Sequence, residues 1–128
     1  MTDFNSEKNR AVWFDMPVAD LDRASDFYSA VLDIKVSKEK FGDIEFAILD
    51  HQDGNGGCLV VDKKNISANT GILLYLNVNN RIKDAVSKVS EQGGSIVDDI
   101  HAIGPHGFRA IILDSEGNRI ALHSNTEN

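Results

Sequence analysis

Residues 11–32 read AVWFDMPVADLDRASDFYSAVL, and residues 71–92 read GILLYLNVNNRIKDAVSKVSEQ. In both stretches an apolar strand pattern ends in Val-x-Asp or Val-x-Asn, and an amphipathic helical pattern follows at once. Such an internal repeat decides the architecture before any single element does. Two copies imply a pseudo-twofold relation, and the concave surface shared by the copies is where we expect a functional site.

Local signals bound the two predicted helices. Asp20 suits the N-cap of a helix at 21–32. The second helix is predicted at 80–92, where Gly93 and Gly94 end it by supplying left-handed conformations. Apolar side chains at helical spacing are expected to form one buried face on each helix. These side chains are Leu21, Ala24, Phe27, Tyr28, Val31 and Leu32 in the first helix and Ile82, Ala85, Val86 and Val89 in the second.

Each half of the chain reads β-α-β-β-β, which predicts an α+β fold. Two paired βαβββ modules would form a cupped, barrel-like mixed sheet. Residues 1–9 are polar and are expected to be a flexible N-terminus. A single domain is predicted at 10–125, with module one at 10–62, a linker at 63–70 and module two at 71–124. The predicted strands are 11–17, 34–40, 44–50 and 58–61 in module one and 71–78, 95–100, 107–113 and 119–124 in module two.

The composition excludes several classes of partner. Thirteen Lys and Arg against twenty Asp and Glu give a net charge of −7. Nucleic acids and anionic membranes attract clustered positive charge, so neither is expected as a partner. No apolar run approaches the ~20 residues of a membrane-spanning helix, and the start lacks a hydrophobic signal region. The lone Cys58 excludes an internal disulfide and a thiolate-rich metal site. A cytoplasmic protein is therefore expected.

Three stretches resemble the vicinal oxygen chelate superfamily, which includes glyoxalases, extradiol dioxygenases and bleomycin-resistance proteins. Its helix-1 signature is similar to DLDRASDFYSAVLDIKV at 20–36, and its second helix with a Gly-Gly exit is similar to DAVSKVSEQGGSIV at 84–97. The turn before its last strand is similar to DSEGNRIALHS at 114–124, with Ser115 where Pro is usual. The resemblance implies the glyoxalase/bleomycin resistance/dioxygenase fold. Within the superfamily, the branch related to lactoylglutathione lyase is the most similar.

The resemblance also implies a divalent metal, held by His, Gln or Glu from the first and last strands of each unit. The corresponding positions hold Trp13 and Leu73 on the first strands, and Ala121 and a position near Cys58 on the last strands. A stable site needs three or four donors, and indole, isobutyl and methyl groups supply none. No cofactor is therefore expected. A divalent metal bound through other residues is the alternative.

Alternation along the strands predicts which side chains line the cup. If Trp13 faces the cup, so does Asp15, and the repeat puts Tyr75 and Asn77 on the same face of the second module. His123 lies on the matching face of the last strand. Asp15 and His123 are the candidate catalytic residues, because a nearby carboxylate orients imidazole and raises its basicity. With Asn77, they are also the donors that a relocated metal would use.

Four residues are candidates for ligand binding: Trp13, Tyr75, Asn77 and Arg109. Trp13 could stack on a flat ligand or fill the core. Tyr75 could donate a hydrogen bond to a ligand carbonyl or make a structural bond to Asn77 or backbone. Arg109 could bind an acidic group or extend to the surface. The loop from His101 to His106 is either a lid over the cup or an ordinary exposed loop.

Three functions fit these residues. The first is a metal-independent module that binds a small, partly apolar molecule in the cup. The second is a metal-independent lyase or isomerase related to lactoylglutathione lyase, in which Asp15 or His123 moves a proton next to a carbonyl. The third is a cup filled by its own side chains, with sheet edges that mediate dimer formation. A homodimer is expected in each case, because homodimers are common in the fold that the chain resembles.

Overall fold

The computed structural model describes residues 4, 7–67, 71–115 and 117–128. The chain forms two compact units. The first unit is Trp13–Ile72, and the second is Leu73–Asn128 together with the described residues that precede Trp13. Each has one helix and a four-stranded sheet. The predicted α+β fold built from βαβββ units is therefore confirmed. Residues 68–70 of the predicted linker and residues 1–3, 5 and 6 of the predicted flexible N-terminus lie outside the described residues.

The first unit contains β1 (Ala11–Val18), α1 (Leu21–Leu32), β2 (Val36–Phe41), β3 (Ile44–Leu49) and β4 (Cys58–Val61). Its strand order is β2-β3-β4-β1. β1 and β4 pair in parallel, whereas the other pairs are antiparallel. A tight turn at Gly42, with φ of 59°, joins β2 to β3. A short 3-10 turn at Lys63–Asn65 follows β4.

Helix α1 begins as predicted, but its apolar face is narrower than predicted. The Asp20 side chain accepts a hydrogen bond of 3.0 Å from the Arg23 amide, as an N-cap does. Tyr28 packs against the buried cluster of Val18, Ala47, Leu49 and Leu59, as do Leu21 and Ala24. Phe27 and Val31 are 56% and 62% exposed, and Leu32 is also exposed. The prediction that these three are buried was wrong, because consecutive helix positions differ by about 100° and a sheet covers only one stripe of the helix surface.

The second unit repeats the pattern with β5 (Leu73–Asn77), α2 (Ile82–Glu91), β6 (Ser95–Ala102), β7 (Phe108–Leu113) and β8 (Arg119–Ser124). Its strand order is β5-β8-β7-β6. β5 and β8 pair in parallel, and β8-β7 and β7-β6 pair in antiparallel fashion. A 3-10 turn at Gly104–His106 separates β6 from β7. Residue 116 of the predicted turn before the last strand lies outside the described residues.

The two glycines after α2 have different roles. Gly93 has φ of 95°, which confirms the predicted left-handed exit from the helix. The amide of Gly94 donates a hydrogen bond of 2.8 Å to the Val89 carbonyl. A Cβ at Gly94 would lie 2.5 Å from the Leu113 carbonyl oxygen and 2.9 Å from Val89 Cγ1. Gly94 is therefore required because two backbone segments approach each other closely. The prediction that Gly94 supplies a left-handed conformation was wrong, since of the two glycines only Gly93 has a positive φ.

No helix in the described part of the chain is long and apolar enough to cross a membrane.

The close approach at Gly94 generates a stability prediction. Gly94→Ala should lower the free energy of unfolding by about 1–3 kcal/mol, because the added methyl group forces backbone to move. Gly54→Ala is the matched control, since a Cβ there meets only the His51 carbonyl oxygen at an ordinary distance of 3.4 Å. Urea unfolding of both variants measures the difference. Equal stabilities for the two variants would contradict the packing described here.

Candidate functional site

One face of the second unit's sheet gathers polar side chains from all four strands. Asn77 on β5 pairs with His123 on β8, which pairs with Arg109 on β7, which pairs with His101 on β6. Directly paired residues point to the same face of a sheet. Tyr75 lies on that face too, because it is two residues before Asn77 on the same strand. We call the face that carries these five side chains the polar face.

Helix α2 begins on the opposite face of this sheet. Its entry is held by Ser124, whose hydroxyl accepts a hydrogen bond of 2.8 Å from the Asn80 amide. Ser124 follows His123 directly on β8, so its side chain points away from the polar face. The helix therefore covers the other side, and the polar face is not covered by α2.

The Arg109 guanidinium is oriented by two side chains on the polar face. Its Nη1 donates to the Tyr75 hydroxyl at 2.5 Å, and its Nε donates to His101 Nε2 at 3.0 Å. Since Nε2 of His101 accepts, its Nδ1 carries the proton and donates to the Asp99 carbonyl at 2.8 Å. The Arg109 Cζ also lies 5.9 Å from the centroid of the Tyr75 ring. These two hydrogen bonds fix the orientation of the guanidinium, and an oriented guanidinium suits recognition of an acidic group.

His123 is a buried, neutral imidazole. The residue is 0% exposed, and its Nε2 lies 2.7 Å from the His106 carbonyl oxygen, to which it donates. Its Nδ1 is buried and has no hydrogen-bond partner among the described residues. Burial lowers the pKa of His123 below the usual 6.5, and the nearby His106 side chain lowers it further, while the hydrogen bond to the His106 carbonyl opposes the shift. The structure therefore presents Nδ1 with an unshared electron pair at neutral pH.

Phe4 covers His123 and Tyr75, a position that was not predicted from the sequence. Its ring stacks on the His123 imidazole at 4.2 Å between centroids, with a tilt of 13°. It meets the Tyr75 ring edge-on at 5.5 Å and lies 5.8 Å from the His106 ring. Phe4 is 6% exposed, although it belongs to the segment predicted to be flexible. The available signal was one large aromatic residue within an otherwise polar stretch.

Asn77 has structural contacts within the second unit. Its Nδ2 donates to the Asn9 carbonyl at 2.8 Å, and its Oδ1 accepts from the Asn79 amide at 2.9 Å. Its backbone amide also donates to the Arg10 carbonyl at 2.7 Å. Asn77 thus anchors the segment that carries Phe4. The ligand-binding role predicted for Asn77 stays a prediction.

In the first unit, Asp15 and Trp13 lie on the sheet face away from α1. Phe14 and Met16, which alternate with them on β1, pack against the cluster beneath the helix. The Cys58 thiol donates to Asp15 Oδ1 at 3.3 Å. Trp13 is buried and meets the His51 ring edge-on at 5.9 Å. The ligand-binding role of Trp13 stays a prediction. Proton transfer by the Asp15 and His123 pair also stays a prediction, because the two residues belong to different units.

The residues present do not fit the metal centre of related folds. Cys58 is the partner of Asp15 just as Ala121 is the partner of Tyr75, which establishes Cys58 as the last-strand counterpart in the first unit. Across residues 4, 7–67, 71–115 and 117–128, no three His, Cys, Asp or Glu side chains are grouped so that they could hold a metal ion. A thiol at one expected position, with carbon side chains at the others, is a poor ligand set for a divalent cation.

The family follows from a sequence comparison. The sequence model of the Glyoxalase/Bleomycin resistance protein/Dioxygenase superfamily matches residues 10–122. The chain belongs to this superfamily. A search of curated protein sequences found no significant match to this chain.

Solved structures support the same fold. A hypothetical protein from Bacillus halodurans C-125 is similar with a TM-score of 0.72 at 15% identity, over 95% of this chain and 98% of that one. Methylmalonyl-CoA epimerase from Mycobacterium tuberculosis gives 0.65 at 18% identity, over 97% and 90%. A Streptomyces coelicolor methylmalonyl-CoA epimerase in complex with 2-nitronate-propionyl-CoA gives 0.67 at 18% identity, over 91% and 96%. At these identities the superfamily member described here shares with them the fold alone.

The lowered pKa of His123 generates a prediction about stability and pH. Because the folded state resists protonation, its stability is fully present above pH ~6.5 and is lost as the pH falls towards the lower folded-state pKa. One such group changes the free energy of unfolding by at most about 1.4 kcal/mol per pH unit. Urea unfolding at pH 7.5 and 5.5 should therefore show a larger loss for the wild type than for His123→Gln. His51→Gln, with the same substitution in the first unit, should behave as the wild type. Equal pH dependence in the wild type and His123→Gln would contradict the buried, neutral imidazole.

Proposed function

We propose that this superfamily member binds a small, partly apolar molecule with an acidic group on the polar face of the second unit. The observation that carries the proposal is the Arg109 guanidinium, oriented by Tyr75 and His101 on a sheet face that α2 leaves uncovered. Aromatic rings beside a positioned cation suit a ligand with both an apolar and an anionic part. The complex of a structural neighbour with 2-nitronate-propionyl-CoA supports a small-molecule role, since that neighbour has the same fold.

Binding of this kind needs no metal. Arg109 would supply the positive charge that attracts the acidic group, and the rings of Tyr75 and His123 would supply apolar contact area. Because the net charge of the protein is −7, its overall electric field repels an acidic ligand. Attraction of such a ligand would therefore have to come from the local charge of Arg109. We therefore propose a metal-independent binding protein. Trp13 and Leu73, at two positions where the superfamily resemblance implies metal ligands, are buried packing residues in it.

Substitution of Arg109 tests the binding proposal. The wild type should bind members of a panel of aromatic carboxylates and 2-oxo acids in isothermal titration calorimetry. Arg109→Gln should weaken binding by about 10–100-fold, because a hydrogen bond to a charged group contributes about 1.5–3 kcal/mol. Arg119→Gln is the control, since Arg119 is an exposed arginine on the neighbouring β8 and its loss changes the net charge equally. Equal affinities of the two variants, or no binding by the wild type, would overturn the proposal.

A second candidate function is a metal-independent lyase or isomerase. The observation that favours it is the unpaired, buried Nδ1 of His123, whose lowered pKa keeps it able to accept a proton at neutral pH. In this reaction Nδ1 would take a proton from the carbon next to a ligand carbonyl, and Arg109 or Tyr75 would stabilise the developing oxyanion. The proton would return to the same or a neighbouring carbon.

Deuterium exchange tests this candidate directly. The protein in D₂O should exchange the proton next to the carbonyl of a bound 2-oxo acid, followed by NMR. The rate should rise with pH through a value below about 6.5, because only the neutral imidazole accepts a proton and burial lowers its pKa. His123→Gln should abolish exchange while His51→Gln retains it. Exchange that persists in His123→Gln would exclude this role for His123.

The homodimer stays part of the proposal. Two apolar side chains of α1, Phe27 and Val31, are 56% and 62% exposed, and Phe41 and Ile44 at the β2–β3 turn are exposed as well. Large exposed apolar side chains are the residues from which protein–protein contact sites are built. These residues support an interface on the first unit, remote in sequence from the polar face.

A further inference from the structure

Gly107 follows the 3-10 turn before β7 and lies beside the buried imidazole of His123. Its φ of 95° lies in the left-handed region that favours glycine. A Cβ at this position would lie 2.5 Å from the Ser124 carbonyl oxygen, 3.1 Å from the Asn125 Cα and 3.4 Å from Nε2 of His123. The backbone conformation and the space around it therefore both require glycine.

The backbone of Gly107 is held in place on both sides. Its carbonyl accepts a hydrogen bond of 2.9 Å from the Ile103 amide. Phe108, the next residue, pairs with Ser124 on β8. The nearest neighbours of an added Cβ would be backbone atoms of Ser124 and Asn125. A side chain at position 107 could therefore be accommodated only if backbone atoms moved.

A movement of Gly107 would also move the carbonyl that binds His123. The His106 carbonyl and the Gly107 amide belong to one planar peptide group, so they move together. This carbonyl oxygen lies 2.7 Å from Nε2 of His123. Because a carbonyl only accepts hydrogen bonds, Nε2 must donate, and the neutral imidazole then has its proton on Nε2 and its lone pair on Nδ1. The backbone position of Gly107 thus determines which ring nitrogen of His123 is available as a base.

We propose that Gly107 is a positioning residue for His123, because the missing side chain lets the His106 carbonyl reach Nε2 and fix the tautomer in which Nδ1 is the basic nitrogen. The functional consequence rests on the lyase or isomerase candidate, in which Nδ1 takes the proton. In the other tautomer the Nε2 lone pair would face the carbonyl oxygen, and Nδ1 would carry a proton and could not accept one. Gly107 contacts no substrate in this role and acts only through His106 and His123.

Nitrogen NMR of the histidine side chains tests the tautomer in Gly107→Ala. Gly117→Ala is the matched control, because Gly117 has a similar φ of 92° but a Cβ there meets nothing within 4 Å. At pH ~7.5, where the imidazole is neutral, the wild type and Gly117→Ala should show His123 with Nε2 protonated and Nδ1 unprotonated. In Gly107→Ala the two nitrogen shifts should move towards each other, because both tautomers become populated. Unchanged shifts in Gly107→Ala would overturn the inference.

Deuterium exchange of a bound 2-oxo acid measures the functional consequence. Gly107→Ala should exchange about 2–10-fold more slowly than the wild type at saturating 2-oxo acid, as expected for the loss of one hydrogen bond. Its affinity for the 2-oxo acid should be unchanged, and Gly117→Ala should behave as the wild type. Equal exchange rates in the two variants would overturn the positioning role. If the wild type shows no exchange while the nitrogen shifts behave as expected, the lyase or isomerase candidate is overturned and the assignment of the tautomer to Gly107 stands.

A measurement on the wild type keeps the inference testable if Gly107→Ala unfolds. The proton on Nε2 of His123 should exchange slowly with solvent, because the imidazole is buried and donates to the His106 carbonyl. A scalar coupling across that hydrogen bond should join Nε2 to the His106 carbonyl carbon. An unprotonated Nε2 in the wild type, or the absence of this coupling, would overturn the inference.

Discussion

The parallel pairing of the first strand with the last strand in each unit is the constraint on which the other features depend. β1 pairs with β4 through Asp15 and Cys58, and β5 pairs with β8 through Tyr75 and Ala121. A parallel pair cannot be closed by a tight turn and needs a longer crossover connection, which in each unit consists of a helix and two strands. A slip of one residue would exchange the two faces of the sheet, bringing Leu122 to the position of His123. The site chemistry therefore depends on this register.

The fold could be predicted because its signals are local. Asp20 marks the start of α1 by a side chain that bonds three residues away, and Gly93 marks the end of α2 by its own backbone conformation. Both are properties of adjacent residues, which a sequence states directly. The exposure of Phe27 and Val31 could not be read in this way. Helical spacing shows which side chains share a face, but the width of the stripe that a sheet covers is a tertiary property.

The candidate site was predictable only as far as strand alternation extends. Alternation puts Tyr75 and Asn77 on one face, and the repeat extends that face to His123. The contact between Arg109 and His101 was not predicted, because the register of β6 against β7 shifts between Asp98 and His101. Such irregularities in pairing have no clear sequence signal. Phe4 could not be placed either, since its partners are on strands and a turn distant in sequence, and contacts of that kind are set by packing rather than by local pattern.

The burial of His123 decides which protonation state its imidazole adopts. The Phe4 ring stacks on the imidazole and helps to exclude water from it, and this burial keeps His123 neutral. An imidazole in contact with water would have a pKa closer to its ordinary value. The geometry thus couples the basicity of His123 to the aromatic ring that is stacked on it, and that ring belongs to a residue more than a hundred positions away in the sequence.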